Sequence, residues 1–459
     1  MNPLHLVVLA AGKGTRMKSA LPKVLHPVAG LPLIDHVLRT AEAVSPASTI
    51  LVLGHQAETV QGALAGRPGL QFVLQEPQLG TGHALLQAHA PLAGAQGTVV
   101  LLSGDVPLLT AATLRRLVAR HEEARAAATV LTAVVDDPSG YGRIERVDGR
   151  IAAIVEHRDA SAAQREIREI NSGVYAFDIG PLFGALQEIG TANAQGEYYL
   201  PDLVRIYRAR GLTVETVTVA DPREILGVNS RKELADVGNI MRKGRNDELM
   251  ASGVTLVDPA TAYIDADVTI GPDTVIHPNV QLEGTTRIGA RCEIQSGVRI
   301  VNSTVADDVF VNNCCLIVNS TVDRGAHIGP FAHIRPDSHV GEDVHIGNYV
   351  ELKKTSIGRG SKANHLAYLG DATIGEHVNV GAGTITCNYD GTKKHPTVIE
   401  DGAFIGSDSQ LVAPVRVGKG AYVAAGSSIT RDVPPGSLGI ARSQQVNKDG
   451  WVERKKGRK

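Results

Sequence analysis

The sequence predicts a chain in two parts: an α/β doubly wound sheet, Rossmann-like in layout, followed by an all-β parallel helix of stacked coils. Three observations predict it. Strand-like apolar runs alternate with helical patterns in the first half, leucine gives way to Ile and Val in the second, and aliphatic residues there recur every six positions. The chain has 459 residues, of which 43% are hydrophobic and 20% charged. That length suits two or three domains, and that composition supplies a core rather than a disordered polar tract.

In the first part, Leu4–Leu9, Thr49–Val52, Leu70–Leu74 and Thr98–Leu102 read as strands, while Pro32–Ala43 and Ala111–Ala127 carry helical spacing. Strands separated by helices imply parallel βαβ units, whose ligands bind at the carboxyl ends of the strands. Residues 1–250 hold 32 leucines and residues 251–445 only 8. Leucine favours helices, whereas β-branched residues suit a pleated surface.

The second part is ordered by a period of six. Ile264, Ile270, Ile276, Leu282, Ile288, Ile294 and Ile300 form one run; Val322, Ile328, Ile334, Val340, Ile346 and Leu352 form a second. Ile399, Ile405, Leu411, Val417, Val423 and Ile429 form a third. Six is neither 3.6 nor 2, so neither an amphipathic helix nor a simple meander explains it. One short strand and one turn per six residues do, with every aliphatic pointing into a coil that contacts only its neighbours. Steps of five interrupt the period at Ile300–Val305, Ile317–Val322, Leu352–Ile357 and Leu369–Ile374, and a longer insertion lies between Ile385 and Val398. Ser230–Met250 reads as a linking helix. The expected domains are therefore 1–229, a linker over 230–250, and 251–459, with the basic tail Trp451–Lys459 a solvated, mobile end.

Several classes are disfavoured. A net charge of −2 gives no reason to expect a nucleic-acid partner. Leu6–Ala11 is far too short to span a membrane and lacks the basic flank of a signal peptide. Cys292, Cys314, Cys315 and Cys387 form no CxxC pair and no regular framework, which points to a reduced, cytoplasmic protein without structural zinc or disulfides.

The first chemical signal is LAAGKGTRM (Leu9–Met17) after the first strand, followed by LPKVL (Leu21–Leu25). A Gly-rich turn lets backbone N–H groups approach phosphate oxygens. Met17 stands where GxGxxG needs its last glycine, and GxxxxGK[ST] does not match. What remains is a turn with three cations, Lys13, Arg16 and Lys23, suited to a triphosphate. This combination resembles the sugar-phosphate nucleotidyltransferases. Coupled to hexapeptide coils, it is similar to the bifunctional bacterial enzymes that join N-acetylglucosamine-1-phosphate uridylyltransferase to glucosamine-1-phosphate acetyltransferase. The likeness runs from Leu4 to about Arg442, and it implies that the β-helix is left-handed.

The resemblance assigns UTP and UDP-sugar binding to Leu9, Ala10, Ala11, Gly12, Lys13, Arg16 and Lys23. To these it adds Gln75 with Gly80 and Thr81 of GTGHA as the uracil-recognising segment, and Ser103, Gly104 and Asp105 of SGDVP. Gly142, Glu156 and Asn171 are the implied sugar contacts. Asp105 and Asn229 are the implied Mg²⁺ ligands; a carboxylate at a strand end suits a hard cation that bridges phosphates. In the coil region, His365 within KANHLAYLGD is a plausible general base, since an imidazole titrates near neutrality. Arg335 and Lys353, 30 and 12 residues earlier, could approach it across stacked coils and bind a phosphate. The resemblance makes Arg335, Lys353, Tyr368 and Asn379 the glucosamine-1-phosphate ligands, and Ala382, Asn388, Tyr389, Ser407, Ala425 and Arg442 the acetyl-CoA site. It also implies a homotrimer that supplies cell-envelope precursors such as peptidoglycan. Two other readings stay open: a nucleotidyltransferase alone, with a structural or regulatory β-helix, and a non-enzymatic scaffold that leaves the cation cluster unexplained.

Overall fold

The computed structural model describes residues 2–456. The chain divides into two compact units between Met241 and Arg242, a point inside the helix Arg231–Ala251.

The first unit is built on a nine-stranded sheet. Its strands are β1 (Leu4–Ala10), β2 (Ser48–Leu53), β3 (Leu70–Leu74), β4 (Thr98–Ser103) and β5 (Ala128–Val134), then β6 (Arg143–Val147), β7 (Arg150–Val155), β8 (Glu169–Asp178) and β9 (Val214–Thr218). The main order is β9-β5-β8-β4-β1-β2-β3, and the hairpin β6–β7 attaches to β8. The expected strands all form, within one or two residues at each end. The expected strands β1, β2, β3 and β4 pair in parallel, and β8, which the sequence reading did not name, runs antiparallel to both β4 and β5. The helix expected to reach Ala127 stops at Ala124, because Arg125 takes a left-handed backbone and caps it. Leu6 and Val8 face one apolar layer and Val7 the other, so helices cover both faces of the sheet, and strands covered on both sides need the continuous apolar runs seen in the sequence.

The second unit is a left-handed parallel β-helix. Its short strands stack into three parallel sheets of 11, 10 and 9 strands, and each strand pairs with the third strand along, so one coil is three strands. We call the three sheets the first, second and third faces. Coils are 17 residues long where His345 pairs with Lys362 and 18 where Phe404 pairs with Tyr422. Each step of five in the sequence is thus a coil one residue shorter. The insertion lengthens one coil to 25, pairing Asn379 with Phe404. The aliphatics of the six-residue period are buried in a single column of core. Ile270, on the edge strand of the third face, is the exception and stays partly exposed. Glycine after an aliphatic keeps the coils in contact: a Cβ on Gly406 would lie 2.5 Å from the backbone nitrogen of Ala425 on the next coil. At the C-terminal end, Trp451–Lys456 forms a short helix exposed on all sides, so this part of the tail is solvated as expected; the rest of that tail lies outside the described residues.

Candidate functional sites

The first site forms at the carboxyl ends of β1, β3 and β4. The strand β1 runs into the glycine turn, where Gly14 has a left-handed backbone (φ 59°) and a Cβ would sit 2.8 Å from Lys23 Cβ. Only glycine satisfies both demands, and the turn folds down onto Lys23. A cleft of about 430 Å³ results. Leu9, Ala10, Ala11, Gly12, Lys13 and Lys23 line it together with Gln75, Gly80, Thr81, Ser103 and Asp105. Gly104 lies beneath it, its Cα hydrogen side facing the Leu9 carbonyl and Ile34.

Hydrogen bonds fix the polar groups. Lys23 Nζ donates to Asp105 Oδ2 and, at 3.2 Å, to Asn229 Oδ1. Ser103 Oγ donates to Asp105 Oδ1 at 2.8 Å. Gln75 is buried and donates to the Gly80 carbonyl at 2.9 Å, tying the uracil-type segment to the strand end. Asn229 is held by the start of the Arg231–Ala251 helix: Glu233 accepts from the backbone of Asn229 and Ser230, and Ser230 Oγ accepts from Glu233 N. This is a capping box. The oxygens of Asp105 and Asn229 therefore converge on one cation, at present the Lys23 ammonium. A carboxylate and an amide oxygen converging in this way fit a hard divalent ion that keeps waters and phosphate oxygens as its other ligands.

Arg16 departs from the expected cluster. It lines a neighbouring cleft of about 470 Å³ with Gly140, Glu156, His157, Arg158 and Gln195. The turn around Thr15–Met17, flanked by left-handed Gly14 and Lys18, carries it away from Lys13 and Lys23. The sugar-type residues do meet: a Cβ on Gly142 would lie 3.1 Å from Glu156 Oε1 and 3.5 Å from Asn171 Cβ. Burial, with Asp159 and Asp202 nearby, raises the Glu156 carboxyl above its ordinary range. Sequence reasoning missed Gln78 and Glu197 in the main cleft and His157 and Arg158 in the second. His157 and Arg158 directly follow Glu156 and were within reach of it.

In the second unit, register alone defines the site. Along the first face, His345 pairs with Lys362, Lys362 with Asn379, Asn379 with Phe404, and Phe404 with Tyr422. Three residues beyond each stand Asn348, His365, Ala382, Ser407 and Ala425. These occupy the same corner of five successive coils. The backbone confirms the stacking: Leu366 N donates to the Asn348 carbonyl, Gly383 N to His365, Asp408 N to Ala382 and Gly426 N to Ser407. Arg442 closes the column, its guanidinium 2.8 Å from the Ala425 carbonyl. Asn348, which the sequence reading missed, lies 2.7 Å from His365 Nδ1 through its amide oxygen. An oxygen there accepts from Nδ1–H, which leaves Nε2 with a free lone pair. A one-coil step back from His365 would have found it.

Arg335, Lys353 and Tyr368 lie on consecutive coils of the second face. Arg335 pairs with Glu351 at 2.8 Å, and Lys353 stands 3.8 Å from Asp371. Asn388 also donates to Asp371, so it sits with this cation group rather than in the His365 column. Lys394 of the inserted loop is held below the ordinary lysine range by the Lys353 ammonium beside it. Two ammonium groups in contact favour an anion between them. Tyr389 is exposed on the same loop, its hydroxyl donating to Gly391 O at 2.6 Å. Asn379 stands on the first face, so a single chain does not bring it to Arg335, Lys353 and Tyr368.

Residues 6–167 match the MobA-like NTP transferase domain. Residues 252–333 match the GMPPB C-terminal domain, and residues 319–354 and 396–431 match the bacterial transferase hexapeptide (six repeats). The bifunctional protein GlmU of Shouchella clausii is 52% identical over 99% of this chain and all of its own length. That of Pelobacter propionicus is 50% identical over 99% of both chains. That of an Exiguobacterium species is 50% identical over 98% of this chain and 99% of its own. With both units matched end to end, the chain belongs to the family of bifunctional GlmU proteins.

Proposed function

We propose that this chain is a two-reaction enzyme of UDP-N-acetylglucosamine synthesis. Acetyl-CoA and glucosamine-1-phosphate react first, and the product then takes a uridylyl group from UTP with release of pyrophosphate. The observation that carries this reading is the corner column from Asn348 to Ala425, which a purely structural β-helix does not require. In that column His365 Nε2 removes a proton from the sugar amine, which attacks the thioester carbonyl, and the thiolate leaves. Asn348 holds the imidazole in the tautomer that leaves Nε2 free. Ala382, Ser407 and Ala425 are small, so an extended pantetheine arm can lie along the stacked coils. Lys353, Arg335 and Tyr368 supply charge and hydrogen bonds for the sugar phosphate.

In the first site, the sugar-phosphate oxygen attacks the α-phosphorus of UTP in line, and no covalent enzyme intermediate is needed. Lys13 and Lys23 neutralise phosphate charge, while the Gly12 turn and the Gln75–Gly80 segment position the nucleotide. Asp105 and Asn229 would hold Mg²⁺, which supplies further charge neutralisation when bound. We assign uridylyl transfer to the unit that ends at Met241 and acetyl transfer to the unit that starts at Arg242. A homotrimer, with the acetyl-transfer site completed between copies, accounts for Asn379 and the Arg335 group lying on different faces of one chain. It also accounts for Phe331, Tyr349 and Leu366, apolar and exposed on successive coils beside His365. The substrates place the reactions in the cytoplasm, consistent with four free thiols.

The test is a double dissociation. His365→Ala is expected to reduce CoA release from acetyl-CoA and glucosamine-1-phosphate by roughly 10³-fold while pyrophosphate release from UTP and N-acetylglucosamine-1-phosphate continues. Asp105→Asn is expected to do the reverse. Normal CoA release by His365→Ala would overturn the acetyl-transfer assignment.

A further inference from the structure

Behind the second cleft of the first unit, bonded to His157 of its lining, lies a fully buried cation whose work the reaction above leaves unexplained. Arg143, at the start of β6, is 1% exposed. Its guanidinium forms no ion pair among the described residues. It donates instead to the Tyr141 carbonyl, to the Arg165 carbonyl at 3.4 Å, and to His157 Nδ1 at 3.2 Å. Burying a guanidinium against neutral acceptors is costly, so its placement calls for a local reason.

Chemistry supplies one. A guanidinium has only donors, so the His157 nitrogen facing Arg143 must be an acceptor. In the neutral ring the proton then lies on Nε2, which makes no hydrogen bond among the described residues. His157 lines the cleft with Arg16, Glu156 and Arg158, directly after the Glu156 that meets Gly142 and Asn171. A donor imidazole nitrogen in a cleft that Arg16 and Arg158 also line suits a phosphate oxygen. The same guanidinium also fixes the Tyr141 carbonyl, one residue before Gly142, so one side chain sets both edges of the sugar-type pocket.

We propose that His157 Nε2–H is a hydrogen-bond donor to the phosphate of the sugar-phosphate substrate in uridylyl transfer. Arg143 is the positioning residue that locks its tautomer. The inference rests on the uridylyltransferase reading of the first unit.

The test uses the full chain, with pyrophosphate release measured against N-acetylglucosamine-1-phosphate and UTP in turn. His157→Phe is expected to raise KM for the sugar phosphate by about 10-fold, the loss of one charge-assisted hydrogen bond, with KM for UTP within about 2-fold. His157→Gln, whose amide nitrogen falls near the Nε2 position, is expected to restore most of the affinity; His157→Asn, which mimics Nδ1, is not. Arg143→Gln is expected to reproduce the KM effect and to remove the single Nε2–H tautomer from the His157 nitrogen NMR signals. Its KM for UTP should stay within about 2-fold, which reports a folded first unit. An unchanged sugar-phosphate KM in His157→Phe, equal shifts in both KM values, or a Nδ1–H tautomer in the unsubstituted protein would each overturn the proposal. Absence of any pyrophosphate release by the unsubstituted protein would instead overturn the reading beneath it.

Discussion

The two units assemble their sites from opposite kinds of sequence neighbours. In the sheet unit, Lys23 meets Asp105 from 82 positions away and Asn229 from 206. In the coil unit, each residue of the His365 column meets the next after 17, 17, 25 and 18 positions, from Asn348 to Ala425. A doubly wound sheet gathers residues at a point, the carboxyl edge of its strands, and makes a cleft for a compact anionic ligand. A stack of coils lays residues along a line and suits a ligand that is long and thin. The catalytic demands match: phosphate charge must be neutralised at one place, whereas a thioester arm must be laid out and its end delivered to a base.

Three substitutions probe that contrast. The largest effect is expected from Ala382→Trp, which puts an indole in the middle of the line. Its kcat/KM for acetyl-CoA should fall by about 100-fold, roughly 2.7 kcal/mol of transition-state binding, with uridylyl transfer untouched. A proportionate loss in both reactions would show that the line is not a separate binding surface. Next is Gly406→Ala. The new methyl group would meet the Ala425 backbone, so the coils must separate, at about 1–3 kcal/mol. Thermal unfolding should report the second unit destabilised, while ligand-induced stabilisation of the first unit by UTP persists.

The smallest effect concerns the first unit and pH. His121 is buried, with Nδ1 3.0 Å from Thr129 Oγ1, and burial pushes its pKa down from 6.5 to about 4. The unfolded chain therefore binds the proton more tightly, so this contribution is complete above pH 6.5 and is lost as pH falls toward 4. Between pH 7 and pH 5 the loss is about 2 kcal/mol. Urea midpoints of His121→Gln should show a correspondingly shallower dependence over that window; an identical slope would remove His121 as the cause.

The same contrast decides what could be read without coordinates. The coil unit was legible because contact there is arithmetic: a residue's neighbours lie one coil away, and a period of six with occasional fives states the coil length. Asn348 was missed only because the step back from His365 was not taken. In the sheet unit, the buried strands announced themselves as Val- and Leu-rich runs, and the turn after β1 by its glycines. Strand order did not, since nothing local to Glu169–Asp178 says that it runs antiparallel between β4 and β5. Arg16 shows a finer limit. Composition groups it with Lys13 and Lys23, but two left-handed residues at Gly14 and Lys18 swing it into another cleft. Within one chain Asn388 and Asn379 stand apart from the residues they were grouped with, because an inserted loop and a change of face are events between coils, invisible to a count along one.

Strands in a sheet stand about 4.8 Å apart, so the three coil steps from His365 to Ala425 measure about 14 Å. The prism is in this sense a graduated rule with the imidazole as its zero mark. Each coil touches only those beside it, but one added at the start would part the first coil from the linking helix, whose Asn246 donates to the Pro259 and Ala262 carbonyls. On the proposed acetyl-transfer reading, one added between His365 and Ala425 would move the far end of the column about 5 Å further from the imidazole. On that reading, the length of the column between the imidazole and Ala425 is set by the reagent.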